Sequence, residues 1–264
     1  MDIDVKELSD LLCGSLIGNR IVFLEEVGST NDYASELAGQ GAPEGTVVIA
    51  DRQKEGKGRL GRTWQSPPYV NLYTSVILRP DIEPEVSPRI TLVAGIAVAE
   101  TLIQYCREGV SLKWPNDVLI NGKKVCGILT EMKSGEGKVD FIVVGVGVNI
   151  NMLRHEFDEE LRECATSLRQ EIGTEVHRPD FIVRLFDGFG RWYRIFLSGD
   201  FEAVRERWTA LSGMAGRHVR ITSRDRTETG VVTGMSERGG LLIQIAGNGV
   251  KEIISGDVTY DKRS

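Results

Sequence analysis

Apolar positions along this 264-residue chain fall into two rhythms. Short apolar runs bounded by glycine, proline or polar turns recur at RIVFLEEV (Arg20–Val27), GTVVIA (45–50), NLYTSVIL (71–78) and VDFIVVGVGVNI (139–150). Runs of this length predict strands, the second and fourth of them buried. SLKWPND reads as a strand broken by Pro115. VLI and KKVCGILTEM read as a hairpin around Asn121-Gly122, a dipeptide that accepts the left-handed conformations of a two-residue turn. The helical rhythm follows Ser29-Thr30-Asn31-Asp32, a capping-box pattern, to about Ala38, with Gly39 and Gly41 as the stop. It returns after Ser87-Pro88, an N-cap and first-turn pair for a long apolar helix that Gly109 ends. Further helices are predicted over 158–172, 179–197 and 201–211. After Gly213 the texture changes to four or five short strands with Gly-rich turns, as expected of a small β-barrel. A boundary near 212–216 therefore divides a larger α+β domain, 1–212, from a barrel of residues 213–264.

Composition narrows the class. With 41% hydrophobic and 27% charged residues the chain has the profile of a soluble globular protein. Its formal net charge of -6 argues against a main task of coating DNA or an anionic membrane. Cys13, Cys106, Cys126 and Cys164 are far apart and form no C-x-x-C pair, which fits reduced thiols in a reducing compartment. MDIDVKELSD lacks the apolar core of a signal peptide, and the apolar run at 92–99 is too short for a bilayer. A soluble, cytoplasmic protein with no membrane contact is expected.

Against the acidic background, residues 53–64 read QKEGKGRLGRTW. Gly56 to Gly61 satisfies G-x-G-x-x-G, and Gly56 to Thr63 comes close to a P-loop, with Arg62 where that motif has Lys. Both need a helix to follow, so that its first amides face a phosphate. Gln65-Ser66 leads into Pro67-Pro68 instead, so both matches are taken as accidental. Two other loops stand out at strand ends. Asp117 with Asn116 and Lys124 suits Mg²⁺ with phosphate; the plainer reading is a turn-stabilising carboxylate and a solvated lysine. Gly145 and Gly147 interrupt a strand, either for close approach of a ligand or for a bend or tight packing. Ser29-Thr30-Asn31 is explained by capping alone. His155, His177 and His218 have no metal-ligand spacing. Trp64 and Trp114 read first as core anchors.

Taken in order, Ser29-Thr30-Asn31, Gln53 with GKGRLGRTW, KWPNDVLINGKKVCGI, GVGVNIN and the terminal barrel resemble the biotin protein ligases (biotin–[acetyl-CoA-carboxylase] ligases). The resemblance runs from about Ile21 to the C-terminus, and the ordered set is far more specific than any piece. It implies a mixed, largely antiparallel sheet with helices, of the class II synthetase kind, followed by an SH3-like β-barrel. It also implies two steps: biotin attacks the α-phosphorus of ATP to give biotinyl-5′-AMP, and a carrier lysine then takes the acyl group. By the same resemblance Lys124 and Arg59 are the catalytic cations, with Lys124 between the biotin carboxylate and the α-phosphate. Ser29, Thr30, Asn31 and Gln53 hydrogen-bond biotin, and Gly56, Lys57, Gly58, Gly127, Gly145 and Gly147 complete its pocket. Arg59, Arg62, Trp64, Asn116, Asp117, Lys124 and Asn149 serve ATP, and Asp117 serves Mg²⁺. The glycines of the cationic loop act as hinges of a lid that excludes water from the adenylate.

The family usually has Arg at the place of Lys57; Lys keeps the charge and loses the planar fork. The implied partner is the biotin carboxyl carrier of acetyl-CoA carboxylase or a related carboxylase, and a homodimer is compatible. Only about twenty residues precede the matching region, too few for a helix-turn-helix domain, so no specific DNA binding is expected. Two rivals are carried. One is a lipoate or octanoate ligase or transferase of the same fold; the other is a nucleic-acid-binding regulator using the cationic loop.

Overall fold

The computed structural model describes residues 3–223 and 226–260. In chain order its elements begin with α1 (Val5–Leu11), β1 (Arg20–Val27), α2 (Thr30–Gly39), β2 (Thr46–Gln53) and β3 (Leu72–Leu78). Next come α3 (Pro88–Ile103), β4 (Val110–Lys113), β5 (Asp117–Ile120), β6 (Lys123–Gly135) and β7 (Lys138–Val148). Three helices follow: α4 (Leu168–Ile172), α5 (Arg178–Leu197) and α6 (Phe201–Leu211). The last elements are β8 (His218–Ser223), β9 (Arg226–Met235), β10 (Leu241–Ile245), β11 (Gly249–Ile253) and β12 (Asp257–Tyr260).

Strands β1 to β7 form one sheet in the order β1-β2-β3-β7-β6-β5-β4. Only β1 and β2 run parallel, joined through α2; every other pair is antiparallel. Alternation along each central strand divides its side chains between two cores. Val47, Ile49, Val76, Leu78, Ile142 and Val144 meet the large cluster under α3 and α5. Val48, Ile77 and Val143 meet Ala34 and Ala38 of α2. Burial on both faces is why these strands read as continuous apolar runs rather than alternating ones.

Helix α5 buries Phe181, Ile182, Leu185, Phe186, Phe189, Tyr193 and Phe196, one stripe at helical spacing. Helix α3 is buried almost all round, from Leu92 to Ala99. Pro84–Ile103 is apolar and long enough to cross a membrane, but two-thirds of it lies inside the protein.

Three readings of the chain need correction. Residues 158–172 are not one helix. They form a 3₁₀ turn at Glu159–Leu161, an extended stretch and then the short α4. The stretch is drawn onto β6: the Lys124 amide donates to Cys164 O (2.8 Å) and the Thr166 amide to Lys124 O (2.9 Å). Ser167 then caps α4 by accepting from the Gln170 amide. Gly109 does not end α3, which stops at Ile103; its φ of +82° instead turns the chain into β4. Ser87 and Ser29 precede their helices without making a side-chain cap bond.

The last five strands form a separate antiparallel sheet, β11-β10-β9-β8-β12. Its inner residues Val219, Ile221, Met235 and Leu241 belong to the same apolar cluster as Leu92, Trp114 and Trp208 of the larger part. Trp114 joins the two directly, since its indole N–H donates to Gly239 O at 3.1 Å.

Candidate functional site

Beyond β2 the cationic loop folds into a small hairpin. The Lys54 and Glu55 amides continue the β1–β2 pairing by donating to Val27 O and Gly28 O. The Trp64 amide donates to Gly56 O (2.8 Å) and the Gly58 amide to Arg62 O (2.7 Å), with Lys57 and Thr63 bridged between them. Its tip, Arg59–Gly61, is one 3₁₀ turn in which Leu60 takes φ 56° and Gly61 φ +75°. No α-helix follows, so neither phosphate-binding motif forms.

Side chains from this hairpin reach down onto the sheet. The Trp64 indole lies on β6 and β7 over Gly127 and Gly147. A Cβ at Gly127 would sit 2.9 Å from the ring, and one at Gly147 2.6 Å from its nitrogen. Gly145 has a parallel reason: a Cβ there would fall 2.1 Å from Asn31 Oδ1. The strand glycines thus make room for side chains of the chain itself. Gly56 is buried within the loop, where a Cβ would meet Trp64 O at 2.4 Å, and it lines no cleft described here.

At the start of α2 the polar groups form a connected set. The Thr30 amide donates to Gln53 Oε1 (2.8 Å), and Gln53 Nε2 donates to Ser66 Oγ (3.1 Å). Ser75 Oγ on β3 lies 2.8 Å from Thr30 Oγ1 and 2.6 Å from Asn31 Oδ1. Asn31 Nδ2 donates to Glu131 Oε2 (2.7 Å) and Leu129 O (3.2 Å). Lys57, at the rim, is held by Asp32 at 2.5 Å, and this bond raises its pKa.

Lys124 owes its direction to a β-bulge. Val118 pairs with Cys126 but Leu119 with Lys124, which leaves Val125 as the extra residue. The Lys124 ammonium lies 2.6 Å from Asp117 Oδ1 and 5.4 Å from the centre of the Trp64 ring. Arg59 donates to Asn116 Oδ1 (3.0 Å) and faces Asp257 Oδ1 at 3.5 Å; Arg62 bonds the other Asp257 oxygen. Burial lowers the pKa of Arg59, an effect that Asp257 and Asp117 oppose. Lys113 lies in the same region; burial pushes its ammonium below the usual range.

These groups border two adjoining clefts. The first is lined by Ser29, Thr30, Asn31, Gln53, Lys57, Gly127, Gly145 and Gly147. The second, the roomier of the two, is lined by Arg62, Lys113, Asp117, Asn149, Asp257 and Tyr260. Gly58, Arg59, Trp64, Asn116 and Lys124 border both. Every residue expected at the site except Gly56 therefore lines one cleft or both. The Asn149 carboxamide donates to Thr166 O (3.0 Å) within the fold. Sequence reasoning missed Ser75, Glu131 and Asp257, and gave Lys113 no role. Lys113 carried a signal, as the first residue of KWPND; the others join the site only through contacts between distant parts of the chain.

The two clefts thus meet at Arg59 and Lys124, with uncharged polar side chains on one side of the junction and mixed charges on the other. The pattern of the Biotin/lipoate A/B protein ligase family matches residues 23–149, and that of the Biotin protein ligase C terminal domain matches residues 215–259. The bifunctional ligase/repressor BirA of Bacillus subtilis is 36% identical over 243 residues, 92% of this chain and 74% of that protein. The biotin–[acetyl-CoA-carboxylase] ligase of Paracoccus denitrificans is 30% identical over 84% of this chain and 92% of its own length. Among solved structures, the biotin protein ligase from Aquifex aeolicus in complex with biotin and ATP superposes with a TM-score of 0.77. It is 31% identical, covering 92% of this chain and 98% of that one. The chain belongs to the biotin protein ligase family.

Proposed function

We propose that this chain joins biotin to ATP, giving biotinyl-5′-AMP and pyrophosphate, and then transfers the biotinyl group to a lysine of a carboxylase carrier domain. The observation that carries the reading is the junction of the two clefts at Arg59 and Lys124. Biotin occupies the first cleft, where Ser29, Thr30, Asn31 and Gln53 offer neutral hydrogen-bonding groups to its ureido ring. Its carboxylate then points to the junction. The triphosphate lies in the second cleft among Arg59, Arg62, Lys113 and Lys124.

A carboxylate oxygen attacks the α-phosphorus, the bond to the β-phosphate oxygen breaks, and pyrophosphate leaves with that electron pair. Charge grows on the phosphoryl oxygens and on the departing pyrophosphate, where fixed cations stabilise it more than in the ground state. In the second step the carrier lysine, as a free amine, attacks the acyl carbon; the acyl C–O bond breaks, AMP leaves with that electron pair, and the nitrogen gives up one proton to the medium. Trp64 and the hairpin cover the junction and exclude water from the acyl-adenylate. The match of the C-terminal domain supports biotin over lipoate as the acid.

Mg²⁺ belongs to the proposal as a companion of the triphosphate. Among the described residues no group of three or more His, Cys, Asp or Glu could hold a metal ion. One carboxylate, Asp117, beside the Asn116 carboxamide fits an ion that brings most of its oxygen ligands as phosphate and water. There the ion would neutralise phosphate charge. The carrier is taken to be that of acetyl-CoA carboxylase or a related carboxylase. The division at 212/213 is supported by the two separate sheets. A cytoplasmic location is supported by the four free cysteines.

The test is incubation with ATP and labelled biotin or lipoate, with the adenylate resolved chromatographically. Biotinyl-AMP is expected; an adenylate formed with lipoate alone would overturn the reading. Lys124→Ala and Asp117→Ala should each lower the adenylation rate by about 10²-fold or more. Near-normal turnover in both would remove their assigned roles.

A further inference from the structure

The second cleft holds its own counter-ions. Asp117 pairs with Lys124 at 2.6 Å, and Asp257 receives both arginines of the hairpin tip. Asp257 opens β12 on the C-terminal sheet, where its backbone pairs with Thr222. The neighbouring Gly256 O accepts from Arg59 NH2 at 3.5 Å. Apart from the Arg59–Asn116 bond, these are the hydrogen bonds and ion pairs that the hairpin's two guanidiniums make among the described residues. The Arg59 and Asp257 side chains are only 23% and 20% exposed, against 67% for Arg62, so solvent screens the Arg59 contact least.

A guanidinium offers the same planar fork to a carboxylate as to a phosphate. From this geometry we infer that Asp257 is a positioning residue which stands in for phosphate in the nucleotide-free protein. It clasps the hairpin to the C-terminal sheet and must release Arg59 and Arg62 before the triphosphate can take them. The C-terminal sheet thereby sets both the resting position of the hairpin and the affinity for nucleotide. This inference rests on the second cleft being the nucleotide site.

Asp257→Asn is isosteric, leaves the backbone pairing in place and removes the charge; Asp257→Glu keeps the charge. Two measurements on the full-length chain test the clasp: calorimetric titration with ATP and Mg²⁺, and the rate of tryptic cleavage after Arg59 and Arg62 without ligand. For Asp257→Asn, ATP should bind about 3- to 10-fold more tightly, since a competing anion is lost, and ligand-free cleavage should be several-fold faster. Asp257→Glu should return both toward wild type. Unchanged or weaker ATP binding in Asp257→Asn, or an unchanged cleavage rate, would overturn the clasp. If the wild type bound no ATP, the functional reading would fail instead, and the cleavage arm would still decide whether Asp257 holds the hairpin.

Discussion

A methyl group added at Gly147 would come within 2.6 Å of the Trp64 indole nitrogen. Strand backbone cannot yield that distance, so the indole must move. Gly147→Ala is therefore expected to lift Trp64 off the sheet and lower adenylation by about tenfold or more, with overpacking costing roughly 1–3 kcal/mol if the ring is held. Fluorescence compared with Trp64→Phe reads the displacement; an unmoved indole would refute this reading of the glycine. Lys113 raises the opposite issue, a charge kept where burial penalises it. Its pKa is lowered by burial, and Asp117 and Asp257 only partly compensate. Below that lowered pKa the folded and unfolded states both carry the proton, so the folded state bears the full penalty. As pH rises from the lowered pKa toward the ordinary 10.5, the folded state sheds its proton first and the penalty fades. Lys113→Met should raise Tm near neutral pH, with an advantage that narrows in alkali, while weakening ATP binding about tenfold. An advantage independent of pH would mean that burial of the charge is not its source.

At the scale of elements, what could be read from the chain was whatever local chemistry decides. β1 matched its apolar run end to end, and Asn121-Gly122 turned the β5–β6 hairpin with φ 50° and 78°. The cationic hairpin was likewise visible, because it lies on one continuous stretch, whereas Ser29, Thr30 and Asn31 pointed to a site only through the family resemblance. What was not legible depends on pairing between distant segments. Residues 158–172 have the composition of a helix, yet the peptide groups around Ala165 are taken by Lys124 on β6. Ser75 reaches Asn31 across 44 residues, and Asp257 reaches Arg62 across 195. No local pattern announces a carboxylate whose partner lies near the other end of the chain. The strand glycines were read as open between ligand approach and packing, and the geometry packs them against Asn31 and Trp64 while also setting them on the lining of the first cleft.

At the scale of the whole molecule, the two sheets are separate in hydrogen bonding but not in core. Leu92 of α3, Trp114, Trp208 and Met214 share one apolar cluster with Val219, Ile221 and Leu241 of the C-terminal sheet. Gly239 comes so close that a Cβ there would lie 3.0 Å from Leu92. Cutting between the parts would expose this cluster on both sides, so neither is expected to unfold alone. Urea unfolding followed by far-ultraviolet dichroism and by hydrogen exchange in β8–β12 should therefore show one coincident transition. Trp114→Ala tests the joint: it removes a 2% exposed indole and its bond to Gly239 O. A loss of roughly 3–5 kcal/mol is expected, felt by both sheets together. Two transitions in the wild type, or protection in β8–β12 unaffected by the substitution, would show the sheets to be independent. Coupling matters for the site because Trp114 lies two residues before Asn116 and Asp257 lies on the far sheet. The second cleft is thus built from both parts, and its cations keep their places only while the joint holds.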